Sequence, residues 1–260
     1  MSKYIFSIFL VFCISFAQAQ TIDSIAVSRR FRENNSFTEK KVSTPEKKVD
    51  SIPVKTDRYG LRVGVDLYHL TRGIFDDNFK GAEFVADLRL SKRMYLAGEF
   101  GYENITINDE TTNFTTNGSY YKLGLDYNTY ENWLNMENIL SLGFRYGMSS
   151  FSQTLDGYDI YNRNHYFDEN NTVVSGQQFS GLSAHWIEFV LGVKAKVFNN
   201  VFLGFSTRLN HLVYNKEPQG FENLYIPGFN RTYNGGFGVG FNYSVSYLIP
   251  FYKAKQSLKK

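Results

Sequence analysis

Phe237-Gly238-Val239-Gly240-Phe241-Asn242-Tyr243-Ser244-Val245-Ser246-Tyr247 alternates large apolar or aromatic residues with Gly, Asn and Ser. A period of two places successive side chains on opposite faces of a β-strand. The six large residues then share one face and the five small ones the other, an arrangement no helix reproduces.

Seven segments upstream repeat the pattern: Tyr59 to Leu67, Ala82 to Leu90, Met94 to Tyr102, Tyr121 to Tyr127, Leu140 to Met148, Ile187 to Val197 and Val201 to Leu209. Charge sorts by face. The apolar faces carry none. The opposite faces carry seven bases, Arg62, Arg89, Lys122, Arg145, Lys194, Lys196 and Arg208, and seven acids, Asp66, Glu83, Asp87, Glu99, Glu103, Asp126 and Glu188. Such segregation fits either a membrane barrel with charges in its lumen or a lipocalin-like or sandwich fold with the apolar face inside.

Three features favour the membrane barrel. The charged face is rich in Gly, which weakens a solvated strand but makes room in a narrow lumen. Its charges balance, as confined charges must if they are to pair. The connections alternate in length. Ser91-Lys92-Arg93 and Phe198-Asn199-Asn200 are tight and Thr129 to Glu137 is moderate, whereas His69 to Lys80, Ile105 to Gly118, Ser149 to Ser183 and Val213 to Thr232 are long. Short turns at one end and long loops at the other are the pattern of outer-membrane barrels. Tyr59, Tyr102, Tyr121, Tyr127, Tyr146, Tyr243 and Tyr247 lie near strand ends on the apolar face, where aromatic girdles belong. The expected fold is therefore all-β: an eight-stranded antiparallel up-and-down transmembrane β-barrel of outer-membrane type over 58–251, its lumen filled by the fourteen charges.

Composition agrees. The chain of 260 residues has 19 Tyr, 24 Phe, 21 Gly and a single Cys, with a net charge of +3. That excludes a disulfide scaffold and disfavours a nucleic-acid binder. The mean hydropathy of -0.32 argues against a helical membrane protein, not against a barrel. Residues 1–19 read as a signal peptide: Lys3, an apolar run from Tyr4 to Phe16, and Ala17-Gln18-Ala19 as the cleavage site. Cys13 lies within it, so the mature chain has no thiol. Residues 20–57 mix bases, acids, Ser, Thr and Pro without apolar period and read as a disordered periplasmic tail. Residues 252–260 form a basic tail containing Lys253, Lys255, Lys259 and Lys260. The expected location is the outer membrane of a Gram-negative bacterium. The last strand resembles the barrel-assembly signal in Gly240, Tyr243 and Val245, but continues past Phe251.

Four stretches carry a family resemblance: Arg58-Tyr59-Gly60-Leu61-Arg62-Val63-Gly64-Val65-Asp66-Leu67-Tyr68, Tyr127-Asn128-Thr129-Tyr130-Glu131-Asn132-Trp133-Leu134, Phe179-Ser180-Gly181-Leu182-Ser183-Ala184 and Tyr225-Ile226-Pro227-Gly228-Phe229-Asn230-Arg231-Thr232-Tyr233. Across nearly all of the mature barrel the chain resembles an uncharacterised, unknown-function family of small flavobacterial outer-membrane proteins. The resemblance implies a barrel and transfers no activity.

Candidate chemistry is sparse. His69, His165, His185 and His211 all fall at or above the outer strand ends. Pairing about Asn199 sets 185 opposite 213 and 187 opposite 211, which brings His185 near His211. No acid stands at a convincing ligand spacing, and rim histidines are the plainer reading. Ser183 beside His185 leaves open an outer-membrane enzyme acting on lipid or peptide at the rim, though such an enzyme would want an apolar slot in a lumen that reads as charged throughout. A narrow gated channel is the other alternative, against which an eight-stranded lumen is occupied by side chains. No catalysis, cofactor or metal is expected. Glu188 and Arg208 form a plausible diagonal pair.

The outer loops sum to −5 and the turn-side parts to +7; with Lys3 these recover the net +3. The acids Asp109, Glu110, Asp156, Asp159, Asp168 and Glu169 should repel lipid phosphates. The Tyr- and Asn-rich third loop offers an adaptable contact surface. The expected role is structural or interaction-based, displaying surface loops or serving as an accessory subunit of an envelope complex. Its expected partners are outer-membrane lipid around the barrel and an envelope protein or glycan at the loops, with no nucleic acid.

Overall fold

Alternation over this many segments leaves each strand with one apolar face, and closing the sheet on itself pairs every edge. The computed structural model describes residues 56–109, 112–130, 137–159, 172–218, 222–231 and 235–255. The expected signal peptide, most of the tail, the end of the C-terminal tail and His165 lie outside the described residues. The strands are β1 (Thr56–Asp66), β2 (Phe79–Arg89), β3 (Met94–Asn108), β4 (Thr112–Asn128), β5 (Ile139–Asp159), β6 (Thr172–Lys196), β7 (Val201–Lys216), β8 (Tyr225–Ile226), β9 (Asn230–Arg231) and β10 (Phe237–Lys255), with one helix, α1 (Leu67–Phe75). Eight antiparallel strands close a barrel in the order β1-β10-β7-β6-β5-β4-β3-β2, while β8 and β9 form a separate two-stranded sheet. Pairing of β1 with β10, from Thr56↔Lys255 to Asp66↔Ser244, makes the closure. The barrel thus runs slightly beyond both expected limits, 58 and 251.

The charged face turns inward. Lys122 is 5% exposed, Arg208 6% and Glu188 0%, whereas Phe84 is 56% exposed, Leu123 61% and Phe144 55%. The lipocalin-like alternative, with the apolar face inside, is thereby set aside.

Strand length departs from expectation. β1 and β2 have 11 residues each, but β5 has 21 and β6 has 25. The stretch 105–118 is expected as a loop, but its residues 105–108 and 112–118 are strand, paired out to Asn108↔Asn113. Much of the expected third loop is also paired ribbon, from Ser150↔Ser183 out to Asp159↔Thr172, with two register shifts. Ser, Thr, Gln and Gly dominate there, so period-two hydrophobicity fades although the backbone ladder continues. Gly181, at φ +68, supplies a left-handed residue beside one of the shifts.

α1 replaces the start of the expected first loop. Asp66 ends β1 and caps the helix, its side chain accepting from the Tyr68 backbone N–H at 2.9 Å. Because β1 stops there, the barrel wall is low on this side, and α1 packs between β2 and β10.

Candidate functional site in the barrel lumen

Three layers fill the lumen. At the turn end, Tyr95, Phe202, Ile139 and Leu248 are buried. The Arg62 guanidinium lies over the Tyr95 and Phe202 rings at 4.8 and 5.2 Å. Above them, Arg62 pairs with Asp87 at 2.5 Å, and Lys194 reaches the other oxygen of Asp87 at 2.5 Å.

The middle layer is the densest. Lys122 Nζ lies 3.5 Å from each of Glu83, Glu99 and Glu188. Arg208 donates to both oxygens of Glu99 at 2.6 and 3.1 Å and stands 3.5 Å from Glu188. Arg145 forks onto Asp126 at 2.8 and 3.1 Å and adds Glu99 at 3.0 Å. A cavity of about 40 Å³ lies among Glu99, Asp126, Arg145, Lys194 and Arg208, room for a few water molecules.

The fourteen charges do not pair wholly among themselves. Arg89 pairs with Asp57 at 3.3 Å, and Lys196 with Glu137 at 2.8 Å, both at the turn end. Glu137 also takes Arg58, so it ties β1 to β6 across that opening. Burial pushes the Glu137 carboxyl up, but Arg58 and Lys196 outweigh burial and hold it below the usual carboxylate value. The remaining five bases face seven acids. Neutral donors cover part of the excess: Tyr120 Oη and Asn242 Nδ2 donate to Glu83 at 2.6 and 2.7 Å, and Trp186 Nε1 donates to Glu188 at 2.7 Å.

His69 supplies the missing cation. Its Nδ1 meets Asp66 and its Nε2 meets Glu103 at 2.9 Å. Burial lowers the affinity of the ring for a proton; the hydrogen bonds to Asp66 and Glu103 outweigh burial and raise its pKa to about 9. Glu103 also accepts from Tyr225 Oη at 2.7 Å. One carboxylate thus joins α1, β3 and the fourth loop. The signal for α1 stands in the sequence as Asp66 before Leu67, Leu70 and Ile74, a capping residue followed by helical spacing.

The upper layer is apolar, so the lumen is not charged throughout. Trp186, Leu182, Ala184, Tyr120 and Phe151 line it and are buried with Ile226 and Phe229. The last two belong to β8, β9 and their turn, which fold inward as a plug. Trp186 and Phe229 meet edge to face at 5.9 Å. Gln153 holds the plug backbone by accepting from Leu224 N–H at 3.1 Å. An apolar Tyr-Ile-Pro-Gly-Phe run inside a supposed outer loop is the trace that this packing leaves in the sequence. Glycines clear space for the large rings: a Cβ at Gly101 would collide with Tyr120, and one at Gly147 with Trp186.

Gly228 is doubly constrained, with φ +78 and the place of a Cβ 2.5 Å from Tyr120 Cγ. Gly228→Ala is therefore expected to loosen the plug at a cost of about 1–3 kcal/mol. Faster quenching of Trp186 fluorescence by acrylamide, with the barrel still folded, would register it; unchanged quenching would contradict this packing.

The rim histidines behave differently from His69. A register shift sets His185 opposite Tyr214 rather than 213, while Ile187 does face His211. His185 bonds to Tyr146 Oη at 3.0 Å, and His211 packs on Phe237 at 4.5 Å. Ser183 pairs within the sheet with Ser150 and Lys216. Glu188 and Arg208 are indeed close, as above.

A model of a domain of unknown function, DUF6048, matches residues 1–254. The chain belongs to this family. Neither the curated proteins nor the solved structures contain a match. All four quoted stretches that carry the resemblance include described parts of the fold: β1 running into the α1 cap, the end of β4, the bulged segment of β6, and the plug hairpin.

Proposed function

We propose that this protein is a plugged outer-membrane barrel with a structural or interaction role and no catalysis, presenting its β5–β6 ribbon as an accessory subunit or surface display. The observation that carries the reading is the uneven wall around a filled lumen. A spanning strand needs about 9–11 residues. β1 and β2 meet that length, whereas β5 and β6 far exceed it, so their outer halves project as a hairpin. A closed lumen with a protruding edge suits contact better than transport.

The membrane assignment is supported by the outward face. Exposed Leu125, Leu142, Phe144, Phe189, Leu191, Phe205 and Phe241 give it an apolar character far beyond the patches of soluble monomers. Tyr59 and Tyr252 stack at 4.9 Å at the turn end, where a girdle would lie. Among the described residues no helix is long and apolar enough to cross a membrane, so a crossing by these residues would be by strands. The resemblance to flavobacterial outer-membrane barrels points the same way. An apolar-in-lipid face predicts that Leu191→Arg costs about 2–4 kcal/mol near the midplane. Single cysteines at 142, 191, 205 and 241 should resist a water-soluble thiol reagent in intact barrels; ready labelling would defeat the membrane reading.

Envelope protein or glycan is the proposed partner class, because the acids of the second and third loops disfavour direct contact with lipid phosphates. A pull-down from mild-detergent membranes tests this. A discrete stoichiometric partner is expected with the full chain. It should be lost when residues 156–176 are replaced by an Asn-Gly turn, a change that leaves buried Gln153 and Leu155 in place. Undiminished capture by the shortened barrel would remove the ribbon from the interface, and no partner at all would leave a free-standing barrel.

A further inference from the structure

The wall has a gap at its loop end. Among the described residues, β10 has no strand partner on its β1 side from Phe237 to Tyr243, because β1 ends at Asp66↔Ser244. β2 begins only at Phe79↔Ile105, so the end of β3 rises above it. α1 occupies part of the gap, with Ile74 and Phe75 at 75% and 86% exposure. Beside it a cavity of about 280 Å³ is lined by Arg72, Ile105, Ile107, Phe229, Arg231 and Val239, among others. Its lining reaches from fully buried Phe229 in the plug to Val239 on the outward face, 76% exposed. The cavity therefore passes sideways through the wall, from the lumen cap to the apolar exterior.

Its chemistry is two-sided. Ile105, Ile107, Phe229 and Val239 offer an apolar slot, and two guanidiniums stand on it. Arg72 Nε donates to Asp76 at 3.2 Å and Arg231 Nη2 to Asp109 at 3.0 Å. Each of these bonds uses one of an arginine's five N–H donors. Arg72 and Arg231 belong to the first and fourth loops, whose charges balance; from the acidic second loop come the lining Ile105 and Ile107 and the Asp109 that pairs with Arg231. The volume lies just under the range of about 300–1,000 Å³ for sites that enclose drug-sized ligands. That suits a head group with one chain rather than a two-tailed lipid.

We propose that this lateral notch binds a single-chain anionic amphiphile, its carboxylate or phosphate head on Arg72 and Arg231 and its chain along Ile105, Ile107 and Val239. The inference rests on the membrane reading for the ligand's route of entry, but binding itself is measurable apart from it.

Trp186 is the reporter, since it packs on Phe229. Trp133→Phe leaves it as the single tryptophan of the chain. The full-length protein in phosphatidylcholine vesicles is titrated with dodecanoate brominated near its methyl end, and separately with equally brominated dodecyl phosphate and dodecyltrimethylammonium. Saturable quenching is expected from the anions, at least tenfold weaker binding from the cation, and at least a tenfold loss of anion affinity in Arg72→Gln/Arg231→Gln. Preference between the two anions tells a fatty acid from a lysophospholipid-like head. Equal, unsaturable quenching by all three would mean partition into the surrounding lipid and would overturn the notch. If the double variant does not fold, the anion-against-cation comparison on the unsubstituted arginines still decides. Failure here with protected cysteines at 142 and 191 refutes the notch alone; labelled cysteines with saturable anion binding refute the membrane reading alone.

Discussion

Lys122→Met is expected to be the most damaging single substitution in the barrel, at about 3–5 kcal/mol. The side chain is buried, and its ammonium stands 3.5 Å from each of Glu83, Glu99 and Glu188, three acids that it shares with Arg208. Methionine fills nearly the same volume, so the loss is electrostatic and not a cavity. Three carboxylates would keep Arg208 and Arg145 but lose their central counter-charge. Urea unfolding in detergent, followed by heat-modifiable migration on gels, reads the cost. The double variant Lys122→Met/Glu188→Gln should recover a large part of it, because the acid left uncompensated is then neutral. A single variant as stable as the original would mean that the carboxylates already share protons or that the middle layer is well hydrated.

The second large effect is a dependence on pH carried by His69. Its pKa stands at about 9 in the folded chain against an ordinary 6.5. A raised value means that the folded state holds the proton more tightly than the unfolded chain. The stabilisation is therefore complete below pH 6.5 and is lost as pH rises through 9. The difference corresponds to about 3 kcal/mol. Loss of the proton leaves Asp66 and Glu103 facing a neutral ring, at the joint where the α1 cap, β3 and the plug residue Tyr225 meet. Unfolding midpoints at pH 6 and 9.5 should fall for the original protein and stay nearly level for His69→Gln. Ionisations elsewhere are common to both and cancel in the comparison. Parallel slopes in the two proteins would show that His69 is not the proton holder. At acid pH the opposite sign applies to Glu137, whose contribution is present at neutral pH and lost as pH falls.

These two residues were unequally legible. Lys122 stands on the inward face by simple alternation with Leu123 and Tyr121, so its place in the lumen follows from parity. His69 lies one turn of helix past the point where alternation stops, and reads as a rim residue until α1 folds it back over Glu103. The equal count of seven acids and seven bases was likewise only half informative. Composition requires overall balance, but Arg89 and Lys196 find Asp57 and Glu137 outside the set, and His69 with neutral Tyr, Trp and Asn donors takes up much of what they leave.

By itself the sequence determined the strand period, the eight-strand count, which face of each strand carries charge, and the tight-turn ends. All are local, because a pleated strand has a side-chain period of two and a turn has a short, recognisable composition. Only the tertiary structure decided how far β4, β5 and β6 run, since backbone ladders persist through Ser-, Thr- and Gly-rich stretches where hydrophobic alternation has died away. It alone decided which charges pair, because cross-lumen partners such as Glu99 and Arg208 are set by closure and stagger of the whole barrel, not by spacing along the chain. And it alone decided that Ile226 and Phe229 turn inward: an apolar loop can bury itself only against Trp186, Tyr120 and Leu182, which come together once the strands bearing them have closed into one wall.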